Sequence, residues 1–331
     1  MRLSRWVLAL VAALLLIVAG VLGPRLFTAG AQDARPVTPA PAPLAPVPPA
    51  APTAPVLFTP AEDLNLAAGQ TEDEDYGEEL VYEIFWNGLP AGMANLRVRR
   101  RERFPPPQGP EVWAAKLEIR SSRAVSTFYR VRTKSTSIID AKGGFTRFFF
   151  LERKEADYRY VERKDRYWAE ERIKFDYTLG EMKALYETKR ADLAWRSREI
   201  PLADRVLDPL AAIYYLRSRA VRLDLNDPPE RAPVLPICTD RRVWNVRVLT
   251  LRREYRPLWS RGPVEPCLML RFETQVGDKF VPGCGFSGPF ERRGEMTLWL
   301  HEATRIPVGL DVETPIGPCE VRLASHQGAP F

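Results

Sequence analysis

The feature that most constrains this chain is a period-two alternation of apolar and polar residues. It begins at Gly77 and recurs in short runs to about residue 325. In "LVYEIFW" Tyr82, Ile84 and Trp86 fall on one side while Val81, Glu83 and Phe85 fall on the other, the signature of a β-strand. "NGLPAG" (87–92) supplies turn chemistry, and "MANLRVRRR" leads back, so the stretch predicts a β-hairpin. Similar runs recur at 112–120, 130–140, 145–153, 157–163, 172–179 and 181–188, then at 242–255, 267–274, 295–300, 306–314 and 319–325. Short strands joined by tight turns predict a mainly β fold: an antiparallel curved sheet, a barrel or a half-barrel. One short amphipathic helix, about 207–219, interrupts them in "LDPLAAIYYLRSRAV". Asp208 is its expected N-cap and Pro209 its first helical residue. Leu210, Ile213 and Tyr214 share one face, which predicts packing against the sheet or across a barrel end. With no second break in composition, 77–326 reads as a single β-rich domain and 327–331 as a tail.

Three stretches in this order and spacing, "GEELVYEIFWNGLPAGMANLRV", "DPLAAIYYLR" and "LWLHEATRIPVGLDVETPIGPCEVRLAS", resemble the bacterial domain of unknown function 3108 family. The resemblance implies an exported, mainly antiparallel β protein of the cell envelope, and it brings no assigned catalytic residues. The chain departs from the usual pattern in "VGDKFVPGCGFSGPF" (276–290), which reads as a Cys-bearing loop insertion, and in His301, where a serine is more usual.

Ahead of the domain, Arg2 and Arg5 precede "WVLALVAALLLIVAGVLG" (6–23), 18 residues without a charge. As a helix that run would extend roughly 27 Å, slightly less than a 30 Å hydrocarbon core. "AGA" at 29–31 fits a signal-peptidase site, whereas the length of the run and Arg25 after it fit an uncleaved anchor. Residues 1–31 are therefore either a signal peptide or an N-terminal membrane anchor. Both predict export to the periplasm or cell envelope, the anchor holding the chain to the inner membrane through residues 6–23. Residues 32–76 read as a disordered linker, rich in Pro and Ala and then acidic, with prolines at 36, 39, 41, 43, 46, 48, 49, 52, 55 and 60.

Export governs the cysteines. The four, Cys238, Cys267, Cys284 and Cys319, form no C-x-x-C pair, and an even number outside the cytoplasm predicts two disulfides of undetermined connectivity. No metal site or cofactor is expected, because zinc needs tight ligand pairs. The formal charge of +6 does not predict a nucleic-acid partner, since acids and bases interleave along runs such as 152–172 and make solvated faces.

No catalytic residue is assigned. The chain has two histidines. His301 reads as a solvated turn residue, because "HEATR" places Arg305 where a zinc protease needs its second histidine. His326 reads as part of a frayed tail. "GCGFSG" (283–288) satisfies G-x-G-x-x-G but lacks the following helix that a dinucleotide site requires, and Ser287 sits in no nucleophile elbow. Asp140 and Asp176 stand at strand ends, where Asp often bonds its own backbone. A hydrolase using a carboxylate pair ranks third among the functional readings.

The reading that ranks first is a non-enzymatic envelope protein that binds a hydrophobic or lipid-like ligand on the concave face of its sheet. Tyr82, Trp86, Trp113, Phe148 and Trp299 are its candidate ligand-binding residues. A protein–protein scaffold of an envelope assembly is the alternative. A separate stripe, Arg97, Arg99 and Arg101, continuing to Arg103, would share one strand face and offer guanidinium forks to anionic surfaces.

Overall fold

A computed structural model describes residues 76–328, except 105–107, 128, 158–166, 178–180, 191–192, 219–220, 240, 261, 284–294 and 315–316. The expected leader and linker, the run 158–163, Cys284 and Ser287 lie outside the described residues. The fold is mainly β. The first eight strands are β1 (Tyr76–Trp86), β2 (Leu89–Arg103), β3 (Glu111–Ser121), β4 (Tyr129–Asp140), β5 (Thr146–Asp157), β6 (Tyr167–Asp176), β7 (Lys183–Arg190) and β8 (Arg196–Pro201). The remaining seven are β9 (Val234–Thr239), β10 (Arg242–Pro257), β11 (Val264–Val276), β12 (Lys279–Pro282), β13 (Met296–His301), β14 (Pro307–Thr314) and β15 (Gly317–Gly328). A single helical turn, α1 (Arg123–Ser126), precedes β4, and α2 (Pro209–Arg217) follows β8.

The strands form one antiparallel sheet in the order β8-β7-β6-β5-β4-β3-β2-β1-β15-β14-β13-β11-β10-β9, with β12 attached to β11. Both terminal strands therefore lie in the middle of the sheet, and β1 pairs with β15 from Glu78↔Gly328 to Trp86↔Cys319. The sheet remains open, but a connecting segment stitches its two arms. Thr146 of β5 donates to the Val206 carbonyl, Leu207 donates to Pro236 of β9, and Cys238 donates back to Leu207.

Three strands escape the alternation pattern, each for a local reason. β9 contains Pro236, which forfeits a ladder donor and suits only a sheet edge. β8, "RSREIP", is the other edge, and its charged, exposed residues protect an unpaired rim. β12 lies inside the segment read as a loop, where Gly277 at φ 59° turns the chain back onto β11. The end of β15 is also corrected: His326, Gln327 and Gly328 pair with Leu80, Glu79 and Glu78, so no tail begins at 327.

α2 forms as expected and buries more than one face. Asp208 caps it, accepting from the Leu210 and Ala211 amides at 2.7 and 3.1 Å. The same carboxylate accepts the Thr146 hydroxyl at 2.8 Å and the Ser137 hydroxyl, which anchors the cap to β5 and β4. Burial pushes the Asp208 carboxyl up, and these hydrogen bonds only partly offset it. Every residue of α2 except Pro209 and Ile213 is buried, and the helix packs against β3, β4 and β9. It thus lies between the two arms of the sheet, where a single apolar stripe would not suffice.

The opening turn is shorter than the sequence implies. Only Asn87 and Gly88 turn, with φ of 49° and 76°, the two-residue hairpin geometry that Asn-Gly favours. Leu89 and Pro90 already belong to β2. The turn docks on the start of β15: the Asn87 amide donates to Pro318 at 3.0 Å, and a Cβ on Gly317 would lie 2.1 Å from Asn87 Oδ1. Gly317 also has φ of 116°. Gly317→Ala should therefore cost about 1–3 kcal/mol of stability, from strain and displacement of Asn87. The solvent-facing Leu89→Ala should change stability by about 0.5 kcal/mol or less. Chemical denaturation of both variants checks the contrast.

Candidate functional site

The arginines in the second half of β2 make no continuous stripe. Arg97 donates to Glu79 at 2.8 Å, beside Asn95 on the same carboxylate, so its charge is matched on its own surface. A bulge lies between Arg99, opposite Ala114, and Glu102, opposite Val112. The extra residue reverses the alternation, so Arg103 turns to the face opposite Arg99. The Arg101 side chain lies outside the described residues.

The five aromatic candidates do not converge either. Tyr82, Trp113 and Trp299 are core residues, while Trp86 and Phe148 are half-buried. Trp299 donates to Asp311 at 3.2 Å and lies under the Arg256 guanidinium, 3.9 Å from its ring centre. Phe148 packs obliquely on Phe104. The face expected to be concave and vacant is occupied by packed side chains and by α2. Only Tyr82 stands beside the cleft described below, donating its hydroxyl to the Pro307 carbonyl at 3.1 Å.

The expected disulfides are not formed among the described residues, where Cys238, Cys267 and Cys319 are free and buried. The ladders explain why. Cys238 faces Val243, Cys267 lies between Glu254 and His301, and Cys319 lies between Trp86 and Val312. None of these three thiols meets another across a strand pair. Burial pushes the Cys238 thiol up to about 12 and those of Cys267 and Cys319 up to about 11. Reactivity belongs to the thiolate, so these groups act as small apolar packing residues.

Asp140 behaves as its turn position predicts. It accepts the Lys142 and Gly143 amides at 3.1 and 2.7 Å and pairs with Arg147 at 2.6 Å.

A cleft of about 220 Å³ opens between the tip of the β10–β11 hairpin and strands β13 to β15. Leu258, Trp259, Ile306, Val308 and Leu323 make its apolar wall. His301, Thr304, His326 and Gly328 complete it, so both histidines of the chain line one cleft. This corrects both expectations for them. His301 is only 9% exposed, held where the turn closes through His301 N to Ile306 O and Arg305 N to His301 O. Its Nδ1 lies 2.7 Å from the Thr304 hydroxyl. His326 is fixed in β15 by its pairing with Leu80, and its Nε2 lies 3.3 Å from Glu78.

Behind the cleft lies a buried ion pair. Arg217, the last residue of α2, grips Glu78 of β1 through both oxygens, at 2.7 and 2.6 Å. Their side chains are 0% and 2% exposed. Tyr214 lies against the guanidinium, 5.1 Å from ring centre to cation, and burial drives its hydroxyl well above the ordinary phenol range. Burial alone would raise the Glu78 carboxyl, but the hydrogen bonds and charges of His326 and Arg217 outweigh it and hold the group below the usual carboxylate range.

Removing one member of a buried pair leaves an uncompensated charge, so Arg217→Leu should cost about 3–5 kcal/mol. Glu78, with its lowered folded-state value, contributes stability that is present above the unfolded glutamate value of about 4.3 and lost as pH falls through the folded value. Wild type should thus lose stability in that acid range more steeply than Glu78→Gln. Denaturant midpoints measured from pH 7 down to pH 3 check both expectations.

Nothing among curated proteins matches this chain. Two solved structures are similar to it. A β-barrel-like protein of domain of unknown function DUF1849 from Brucella abortus is 9% identical with a TM-score of 0.46, covering 77% of this chain and 98% of its own. The hypothetical protein CT021 from Chlamydia trachomatis is 11% identical with a TM-score of 0.19, covering 60% of this chain and 83% of its own. The family model described as "Protein of unknown function (DUF3108)" matches residues 81–324, a span that holds the hairpin, α2 and the closing strands, and the chain belongs to that family.

Proposed function

We propose that this domain is a binding module of the cell envelope that takes an apolar or lipid-like ligand into the cleft between the β10–β11 hairpin tip and strands β13 to β15. The observation that carries the reading is the cleft wall itself. Leu258, Trp259, Ile306, Val308 and Leu323 turn apolar surface toward one space, with the only polar side chains at His301, Thr304 and His326. That is the composition of a small-molecule site: mostly apolar, with few polar groups to fix orientation. Its volume of about 220 Å³ lies below the roughly 300–1,000 Å³ of drug-sized sites, which favours a single short chain over a whole multi-chain lipid. Trp259 is 38% exposed at the hairpin tip, where the cleft meets solvent, an ordinary place for an entry. The export signal or anchor at 1–31 and the Pro/Ala linker support a location outside the cytoplasm, the linker setting the reach of the domain from the membrane.

Native mass spectrometry of the exported full chain, followed by solvent extraction, tests the reading. We expect an additional mass that extracts as an apolar compound, or, from a stripped preparation, saturable binding of 1-decanol by isothermal titration. Val308→Trp, which fills the cleft, should abolish either signal while the chain remains folded by circular dichroism. A chain that carries no extractable mass and binds no 1-decanol overturns the proposal.

A further inference from the structure

The polar end of the cleft specifies more than an apolar occupant. Each histidine engages the protein through one ring nitrogen: Nδ1 of His301 with Thr304 at 2.7 Å, and Nε2 of His326 with Glu78 at 3.3 Å. The Thr304 oxygen receives the Ile306 amide at 3.4 Å and its hydroxyl can donate to His301 Nδ1, an arrangement in which the hydrogen of His301 sits on Nε2. Glu78 is the carboxylate beside Nε2 of His326. The charge balance behind them is equally specific. Arg217 already neutralises Glu78 through a bidentate pair, so the carboxylate does not oppose an anion in the cleft. Among the described residues that line the cleft, none is acidic.

We infer that, if the binding role proposed above holds, the ligand is a single-chain amphiphile with an anionic head group, a carboxylate or a phosphate monoester. Its chain lies along Leu258, Trp259, Ile306, Val308 and Leu323. Its head accepts the Nε2 hydrogen of His301. The His326 imidazole lines the cleft as its second ring-nitrogen group.

Isothermal titration of the full chain with four probes of one chain length tests this: decanoate, decyl phosphate, 1-decanol and decyltrimethylammonium. At least one anionic probe should bind about ten-fold more tightly than 1-decanol, the scale of one charge-assisted hydrogen bond. The cationic probe should bind most weakly. The tighter of the two anions identifies the head group. In His301→Phe the preference for that anion should collapse toward parity while 1-decanol still binds, and His326→Asn provides an independent second variant. Equal affinities for the anions and 1-decanol, or a preference that survives in both variants, overturn the head-group assignment and leave the apolar reading standing. Binding of none of the four removes both.

Discussion

Arg217 and Glu78 stand 139 residues apart in sequence and share two hydrogen bonds inside the domain. The pair fixes the far end of α2, while Asp208 fixes the near end to β4 and β5. A helix held at both ends by buried charge has little freedom to slide or rotate between the two arms of the sheet. Taking two charges out of water is costly, and well-packed apolar residues often replace a buried pair without loss. Its physical contribution is therefore better described as position: only one placement of α2 satisfies both oxygens of Glu78. That placement also bears on the cleft, because the same carboxylate stands 3.3 Å from His326 Nε2.

The three stretches that resemble the family turn out to be points of closure. "GEEL" supplies Glu78, and "DPLAAIYYLR" supplies both the Asp208 cap and Arg217. The Asn87–Gly88 turn and Gly317 meet at the other end of β1, where the side chain of Asn87 occupies the space a Cβ would need. Gly92 is similar, with a Cβ there lying 2.4 Å from the Arg120 carbonyl of β3. These residues are unusual because they answer to partners far along the chain. The strands between them answer mainly to the pleat, which many apolar residues satisfy.

That division explains what could be read in advance. Alternation is a local property, so most strands, the antiparallel class and the capped helix were legible from the sequence. Edge strands were not, because β8 and β9 carry the charges and the proline that protect an edge, and those same residues mask the pattern. The candidate site was not legible in this way: none of the five aromatic candidates lines the cleft, and Tyr82 only stands beside it. Aromatic content marked Trp113 and Trp299, which serve the core, since a large ring carries no signal of whether it packs against protein or ligand. The histidines were missed for a related reason. His301 follows "LWL" and His326 follows "VRLAS", so each continues a strand, but the turn at Thr304 and the partner Glu78 exist only in three dimensions. The cysteines failed on geometry as well: an even count permits pairing, and the ladders keep these three thiols apart.

The pairing of β1 with β15 also governs the order in which the chain can be finished. A ribosome releases Glu78 about 250 residues before Gly328, its ladder partner. At roughly 5–20 residues per second that interval is on the order of ten seconds or more. Throughout it the first strand has a neighbour on one side only, and the seat for Gly328 and His326 against Glu78 stays unfilled. Nascent protein therefore passes through a state with an open central edge, the situation in which strand edges seek other chains. β15 acts as the keystone of the sheet, and a chain that has not yet delivered it leaves the arch unclosed.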